Sequence, residues 1–400
     1  MTSRTRLWVL AVSTPIIAFA VIGGYLGQAM AKDDTYQHLR VFEDVISLVL
    51  NNYVEPVDVK KAMKGAMNGL ADGLDADSAF LTSEMVKAFE ANAPLAAADI
   101  GLDVTRQYYL RVVSVRDGSP AAKAGIRGGD FIRGIDGRAT RDMSIFEGNR
   151  LFRGAPGSKV TVLVIRGSAA DPHSIELVRE RAAGPDVVSR MAEPATGYIR
   201  PLEFNAQSAA QIKQAVDALA RTGATRYIVD LRGTSRGDLD QGIAAARLFV
   251  KTGTLAVRET KGEVRDTIAA AAGDGAVTAP LLILVDQGTS GPAEVFAAAL
   301  DGNNRAELVG ERTIGRAARQ RLVKLPDGSG LLLSYLRYLA PGNAPLHEKG
   351  LTPDVQVEQP DVDFGTEPPT VDSTLQKALE ILTQKKAAKS GRRLRQGLLY

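Results

Sequence analysis

The chain has 400 residues, of which 45% are hydrophobic and 24% charged, and it contains 3 His and no Cys. At roughly 150 residues per domain, this length predicts two or three domains with sizeable hydrophobic cores. The lack of Cys excludes disulfides, thiol nucleophiles and Cys-ligated zinc, and the scattered His residues form no HExxH pair, so we expect neither a metal nor a cofactor. A net charge of only +3, without a basic domain interleaved with aromatic residues, gives no indication of nucleic-acid binding.

The N-terminus has the pattern of an export segment. Arg4 and Arg6 precede an uncharged, mostly apolar run of 20 residues at 7–26, long enough to cross a bilayer as a helix. The small-x-small sequence at 29–31 is typical of signal-peptide cleavage. Residues 1–31 are therefore either a cleaved signal peptide or, as the length slightly favours, an anchor in the inner membrane. Both alternatives predict that the rest of the chain is periplasmic or otherwise extracytoplasmic.

Residues 35–90 are predicted to be helical. Apolar residues recur at spacings of three and four on one predicted helical face, namely Leu39, Phe42, Ile46, Val49 and Tyr53. Pro56 interrupts this pattern, and Asp58 can cap a second helix that continues to Leu70.

Residues 95–182 contain short β-forming runs bounded by Gly, Asp and Pro. The sequence GSPAAKAGIRGGD at 118–130 resembles PDZ domains of the circularly permuted bacterial kind. The resemblance implies that the loop for a peptide carboxylate is formed by Ile100, Gly101, Leu102, Asp103 and Val104. Backbone N–H groups at a Gly turn suit an anion, and an extended peptide can add a strand to a sheet edge. The alternative is a PDZ-shaped spacer without a ligand.

Residues 185–382 alternate strands and helices, which predicts an α/β domain with parallel strands. Two units share the order strand, Gly-containing loop and helix: the strand at 227–231 with the loop at 232–237, and the strand at 281–285 with the loop at 286–291. Pro292 is a typical first residue of the helix that follows the second loop. Residues 383–400 form a basic tail, in which 385–400 carry six Lys or Arg residues and no acid.

Several motifs, in their order and spacing, resemble the carboxyl-terminal processing (tail-specific) serine protease family. LDADSAFL at 74–81 resembles the family's LDPHSxFL, and GYIR at 197–200, DLR at 230–232 and KGLTPD at 349–354 also have counterparts. VDQGTSGPAEVFAAALD at 285–301 resembles the family segment that carries the nucleophile. The resemblance covers residues 35 to about 382. It implies a multidomain α/β protein with a helical lead, a permuted PDZ β-domain and a crotonase-like protease core.

The family works with a Ser nucleophile and a Lys base, and the resemblance places other residues at both positions. The nucleophile lies three residues before the Glu of the motif, so with Glu294 in that place the nucleophile position is Gly291. The Lys position falls on Arg316, 25 residues later as in the family, and Gln320 keeps its place four residues beyond it. Gly has no nucleophile, and Arg stays protonated and cannot act as a general base.

The loop that resembles the family's NPGG sequence is also altered. It follows Arg232 and ends at Gly237, and we expect the side chain of Arg236 to crowd or neutralise the oxyanion position. Asp230 and Arg232 are more typical of residues that hold this loop than of an acid catalyst. The three departures at one predicted site favour a catalytically impaired pseudoprotease. Such a protein would bind polypeptide C-termini or unfolded proteins, as an adaptor or decoy beside an active relative.

Alternatives remain at the level of sequence. Ser290 could act as the nucleophile of an active serine endopeptidase, although a role as the N-cap or the preceding residue of the next helix is favoured. Lys324 and His347 are conceivable bases, whereas Glu294 is expected to favour the helix dipole. A crotonase-like acyl-thioester site is a third option, which rests on fold analogy alone.

Overall fold

The computed structural model describes residues 36–396 except 92–95, 97, 168–170, 183, 360–361, 365 and 367–369, with side chains as far as residue 384. The predicted export segment, its cleavage site and the side chains of most of the basic tail lie outside the described residues. Among the residues that are described, no helix combines the length and apolar character that a bilayer span requires. The chain divides into two compact units, Met1–Ala66 and Met67–Tyr400.

The helical lead has the predicted helices. Helix α1 covers 36–52 and α2 covers Val59–Asp72, with the break around Pro56. The backbone N–H of Lys61 donates to Asp58 Oδ1 at 3.1 Å, so Asp58 caps α2 as predicted. Strand β1 (Ala79–Leu81) and helix α3 (Ser83–Glu90) follow.

The PDZ domain is built on one antiparallel sheet. Its elements are β2 (Ala98–Asp99), β3 (Leu102–Gln107), β4 (Tyr109–Val115), α4 (Pro120–Lys123), β5 (Phe131–Ile135), β6 (Arg138–Ala139), a 3-10 turn (Thr140–Asp142), α5 (Ile145–Phe152), β7 (Lys159–Ile165), β8 (His173–Val178) and β9 (Glu180–Arg181). The sheet order is β3-β4-β5-β7-β8, with β6 on β5, while β2 pairs with β9 separately. Strand β3 therefore lies at an edge of this sheet.

The protease-like core is an α/β layer around a mostly parallel sheet. Its first half contains β10 (Val187–Glu193), β11 (Thr196–Pro201), α6 (Ser208–Arg221), β12 (Arg226–Asp230), α7 (Leu239–Ala246), β13 (Thr254–Thr260), β14 (Asp266–Ala269), β15 (Leu281–Val285) and α8 (Pro292–Asp301). Its second half contains β16 (Glu307–Gly310), β17 (Ala318–Lys324), β18 (Gly330–Ala340), a 3-10 turn (Pro341–Asn343), β19 (Ala344–Pro345), β20 (Val355–Gln356) and α9 (Ser373–Gln396).

The core sheet has the order β10-β11-β12-β15-β16-β20, and all pairs except β10–β11 are parallel. Alternate residues of β12 face opposite sides: Tyr227 and Val229 pack with α6, α7 and α8, whereas Ile228 packs against α9. Asp372 caps α9 by accepting from the Leu375 N–H at 3.0 Å. A second sheet joins β1, β13, β14, β17 and β19 around β18. The predicted multidomain α/β class is confirmed.

Candidate functional site

Five of the predicted site residues line one cavity of about 460 Å³ between the core and the PDZ domain: Gly237, Ser290, Gly291, Arg316 and Gln320. Leu102 and Asp103 of the predicted PDZ loop line the same cavity. The walls come from the turns after β12 and β15, from the start of β17, and from β3 and α5 of the PDZ domain. The predicted site and one end of the predicted peptide groove are thus continuous.

Gly291 forms the sharp turn between β15 and α8. Its φ of +58° and ψ of −118° lie in a region that residues with a side chain rarely adopt. A Cβ added here would meet its nearest neighbour, the carbonyl oxygen of Ser235, at 3.5 Å, so the turn has room for a small side chain. The backbone therefore has the strained strand-to-helix geometry that presents the nucleophile in α/β-hydrolases, but Gly291 brings no nucleophilic atom.

Pro292 adds a feature that the sequence reasoning missed. It is the first residue of α8, as predicted, and it has no backbone N–H. In hydrolases with a strand–turn–helix nucleophile, the N–H of the residue after the nucleophile is one of the oxyanion donors. A proline at this place removes that donor, and the proline was visible in the sequence.

Arg316 is held by two carboxylates from distant parts of the chain. Its guanidinium donates to Asp77 Oδ1 at 2.8 Å and to Asp103 Oδ2 at 3.2 Å, and its side chain is 19% exposed. Burial alone would lower the pKa of Arg316, but the charges of Asp77 and Asp103 outweigh burial and hold the pKa above its ordinary value. The group at this position is a permanent cation and cannot accept a proton.

Asp77 is a second residue whose place in the site was missed. It lies in LDADSAFL, at the position where the resembled motif LDPHSxFL has His. The sequence could have indicated this pairing, because it departs from the resembled family at both places. An acid stands at the His position of one motif, and Arg316 stands at the predicted Lys position of another. The structure shows that Asp77 and Arg316 face each other as an ion pair.

Glu294 has a larger structural role than the predicted interaction with the helix dipole. Its side chain is fully buried and accepts from the backbone N–H groups of Gly291 at 3.0 Å, Gly315 at 2.7 Å and Arg316 at 2.8 Å. The Thr313 hydroxyl also donates to it. Burial raises the pKa of Glu294, and these hydrogen bonds act in the opposite direction. One carboxylate thus fixes the Gly291 turn relative to the loop that carries Arg316.

Ser290 directly precedes Gly291, the N-cap of α8. Of the two structural roles predicted for Ser290, the N-cap and the residue before it, the structure shows the second. Ser290 is buried, its N–H donates to the Thr234 carbonyl at 3.0 Å, and its carbonyl accepts from Ala293 N–H at 3.3 Å. Its hydroxyl makes no hydrogen bond to another described residue. The two conceivable bases lie elsewhere, because Lys324 pairs with Glu90 at 2.9 Å and His347 lines a different cavity.

Arg232 lines a separate cavity of about 930 Å³ and not the cavity of Gly291. Its guanidinium bridges Asp230 at 2.6 Å and Asp372 at 2.7 Å, which is the loop-holding role that the sequence favoured. Burial raises the pKa of Asp230, but Arg232 and Arg200 outweigh burial and hold the pKa below its usual range. Asp230 is therefore an ionised acceptor and not an acid.

In the loop predicted to bind a peptide carboxylate, the Gly101 N–H and the Leu102 carbonyl have partners within the chain. Ile100 and Val104 are buried in the PDZ core, and the Gly101 N–H donates to Asp99 Oδ1 at 2.9 Å. Arg236 donates to Asp99 Oδ2 at 3.0 Å and to the Leu102 carbonyl at 3.0 Å. The guanidinium of Arg236, expected at the oxyanion position, instead joins the core to this loop.

Gln320 and Gly237 complete the predicted set. Gln320 Nε2 lies 3.3 Å from Ser334 Oγ and 3.4 Å from the Ala318 carbonyl, while the side chain borders the cavity. A Cβ on Gly237 would lie 2.1 Å from the Phe204 carbonyl oxygen, so only glycine fits there.

In the described part of the chain, no group of three or more His, Asp or Glu side chains could hold a metal ion.

Comparison with known proteins agrees with this architecture. The chain is 30% identical over 369 residues to a carboxyl-terminal-processing protease of Picosynechococcus sp., covering 91% of this chain and 88% of that protein. The chain belongs to the carboxyl-terminal processing protease family. Residues 195–357 match Peptidase family S41, and residues 111–166 match the PDZ domain.

Two further relatives extend the comparison within this family. A carboxyl-terminal-processing protease of Synechocystis sp. is 33% identical over 278 residues, which cover 68% of this chain and 65% of that protein. The solved structure of a photosystem II D1 C-terminal processing protease has a TM-score of 0.66 at 28% identity, covering 79% of this chain and 86% of that one. The resemblance stated from the motifs, and the family fold that it implied, are therefore confirmed. The assignment of Gly291 and Arg316 to the two catalytic positions stays a prediction.

Proposed function

We propose that this chain is an exported, PDZ-containing pseudoprotease of the carboxyl-terminal processing family, which binds polypeptide C-termini or unfolded chains without cleaving them. The observation that carries the proposal is the pair Gly291 and Arg316 at one cavity, the first without a side chain and the second fixed as a cation by Asp77 and Asp103. Acyl transfer to a serine needs a hydroxyl and a neutral base within hydrogen-bond reach. Neither residue supplies one of these groups.

The PDZ domain supports the binding part of the proposal. Strand β3 lies at the sheet edge next to α5, and Leu102, Asn149 and Phe152 from these elements line the cavity. An open strand edge beside a helix lets an extended peptide bind through main-chain hydrogen bonds and place alternate side chains in the groove. Because the groove opens into the protease-like cavity, a bound tail would run toward Gly291.

Ser290 carries the second candidate function, an active serine endopeptidase. Ser290 lines the cavity, and its hydroxyl makes no hydrogen bond to another described residue. Against this role, neither Lys324 nor His347 borders the cavity, and Pro292 offers no N–H to an oxyanion.

A cleavage assay on the full-length protein in detergent separates these two functions. We expect no cleavage of unfolded casein above the level of a Ser290→Ala variant, and no labelling by a fluorophosphonate probe. Cleavage or labelling that disappears in Ser290→Ala would establish the endopeptidase and overturn the pseudoprotease. Binding is measured in the same preparation with fluorescent peptides that have a free or an amidated C-terminus. We expect the protein to bind at least one of these peptides.

The proposal also places the protein outside the cytoplasm, anchored to the inner membrane by residues 7–26, near an active relative of the family. Arg4 and Arg6 before the apolar run support this orientation. In spheroplasts, added protease should digest the body of the protein, while detergent should be needed to extract it from membranes. Protection from protease in intact spheroplasts would contradict export, and release by salt alone would contradict the anchor.

A further inference from the structure

The carboxylate end of the PDZ groove contains a carboxylate of the chain itself. Asp99 is only 7% exposed, and its Oδ1 accepts from the N–H of Gly101 at 2.9 Å. Backbone N–H groups at such a glycine turn are the donors that suit a peptide C-terminal carboxylate. The carboxylate of Asp99 thus accepts the hydrogen bond that the Gly101 N–H would otherwise donate to the carboxylate of a bound tail.

Three arginines surround this internal carboxylate. Arg116 lies 3.0 Å from Asp99 Oδ1, Arg236 donates to Oδ2 at 3.0 Å, and Arg153 lies 4.0 Å from Oδ2. Burial raises the pKa of Asp99, but Arg236 and Arg116 outweigh burial and hold the pKa below its usual value. Asp99 is therefore an ionised group with the same charge and the same acceptor atoms as a peptide C-terminus.

Arg236 blocks the adjacent acceptor on the strand edge. Gly101 O accepts from the Arg116 N–H on the β4 side, and carbonyls of consecutive strand residues point to opposite sides. The next carbonyl, that of Leu102, accepts from Arg236 Nη2 at 3.0 Å. A peptide that adds to β3 would place its own N–H on this carbonyl. The first donor and the first acceptor of the groove are thus both satisfied internally.

We propose that Asp99 and Arg236 form an internal surrogate ligand, which a C-terminal tail must displace before it occupies the PDZ groove. This inference rests on the proposed tail binding and assigns the regulation of that site. Arg236 belongs to the turn after β12 in the core, whereas Asp99 belongs to the PDZ domain. Displacement by a tail therefore also breaks a contact between the two domains, which couples ligand binding to their separation.

Peptide binding by three variants of the full-length protein tests the proposal. The probes are a dansylated peptide that ends in Val-Ala-Val with a free carboxylate, and the same peptide with an amidated end. Asp99→Ala frees the Gly101 N–H and should tighten binding of the free-carboxylate peptide at least about tenfold, with little change for the amide. Arg236→Ala frees the Leu102 carbonyl but leaves Asp99 in place. It should therefore tighten binding of the free-carboxylate peptide and of the amidated peptide equally.

Asp117→Ala is the matched control. It removes another carboxylate that joins the PDZ domain to the core, through Arg200 at 2.9 Å, without touching the groove. We expect it to leave both affinities unchanged, and an increase equal to that of Asp99→Ala would show that loosening of the domains is sufficient. Asp99→Asn keeps the size of the side chain, and we expect it to raise the affinity for the free-carboxylate peptide less than Asp99→Ala does. This variant keeps the test valid if Asp99→Ala fails to fold.

The outcomes separate this inference from the proposed function. Binding to the unmodified protein that Asp99→Ala and Asp99→Asn weaken or leave unchanged would overturn the internal ligand but keep tail binding. An equal gain for the free and amidated peptides in Asp99→Ala would also overturn it, because the carboxylate would not be the competing group. Failure of both peptides to bind any variant would contradict tail binding and, with it, this inference.

Discussion

At the residue scale, Arg316 shows how one side chain can join distant parts of the chain. A guanidinium has five donors in a planar fork, so it can engage two carboxylates at once, whereas an ammonium is a single point charge. Arg316 uses this geometry to join Asp77, before β1, to Asp103, on β3. The cation that precludes general-base chemistry also connects the PDZ loop with the segment that leads into the second sheet.

We predict that Arg316 and Asp77 are energetically coupled. The side chains of Arg316, Asp77 and Asp103 are 19%, 9% and 16% exposed, so Arg316→Gln leaves two largely buried carboxylates without a cation. We expect a loss of about 3 kcal/mol in the free energy of unfolding, measured by urea denaturation. In an Asp77→Asn background, the same change should cost about 1–2 kcal/mol less.

An exposed ion pair provides the control for this cycle. Lys213 and Asp217 pair on α6 with side chains 39% and 48% exposed. Lys213→Gln should cost no more than about 0.5 kcal/mol. Additive effects of Arg316→Gln and Asp77→Asn would show that the contact between these two side chains contributes nothing to stability.

At the scale of elements, the sequence predicted the strand–turn–helix at 281–301 well because its signals are local. An apolar run, a Gly-containing loop and Pro292 occur within about twenty residues, and the structure has β15 and α8 at these places. The polar partners of the site depend on long-range packing instead. Arg236 and Asp99 are 137 residues apart, and Arg316 and Asp77 are 239 apart, so no local pattern could pair them.

Two glycine turns that border the same cavity should respond differently to a methyl group. Gly291 has φ of +58° with its nearest neighbour 3.5 Å from an added Cβ, whereas Gly237 has φ of +119° with the Phe204 carbonyl oxygen at 2.1 Å. We expect Gly291→Ala to lower the free energy of unfolding by about 1–2 kcal/mol, from backbone strain alone. Gly237→Ala should cost more than about 4 kcal/mol, because backbone atoms must move to relieve the overlap.

Urea denaturation of the two variants measures this difference. Gly262 has φ of +80° with no atom within 4 Å of an added Cβ, so Gly262→Ala gives the cost of strain without overlap. Gly291→Ala should resemble Gly262→Ala. Equal costs for all three variants would contradict the close approach of Phe204 to the turn after β12.

At the scale of the whole molecule, the PDZ domain and the core each have a hydrophobic cluster of their own. Apolar contacts at Phe146 and Phe364 and a set of polar contacts join the two domains. The polar contacts include four between charged or amide side chains: Arg236 to Asp99 at 3.0 Å, Arg316 to Asp103 at 3.2 Å, Arg200 to Asp117 at 2.9 Å, and Arg111 to Gln287 at 2.7 Å. Polar interfaces between domains of one chain usually permit relative motion. A ligand that competes for one contact can therefore change the domain arrangement without disturbing either core.

We predict that salt loosens this arrangement, because three of these four side-chain contacts are ion pairs and the Debye length falls to about 3 Å at 1 M salt. The absence of native Cys allows site-specific spin labels at Arg133→Cys on β5 and Arg221→Cys on α6, both exposed. The label-to-label distance distribution should be narrow at low salt and should broaden in concentrated NaCl, or at low salt when Arg200→Gln and Arg236→Gln are combined.

The control pair lies within the core, where the label at Arg221→Cys is combined with one at the exposed Lys261→Cys. Its distance distribution should not respond to salt, because both positions belong to one packed domain. A PDZ-to-core distribution that stays narrow in concentrated salt and in the double variant would show that the ion pairs do not set the position of the PDZ domain. Broadening on addition of the free-carboxylate peptide, without added salt, would then be the signature of a tail that displaces Asp99 and releases Arg236.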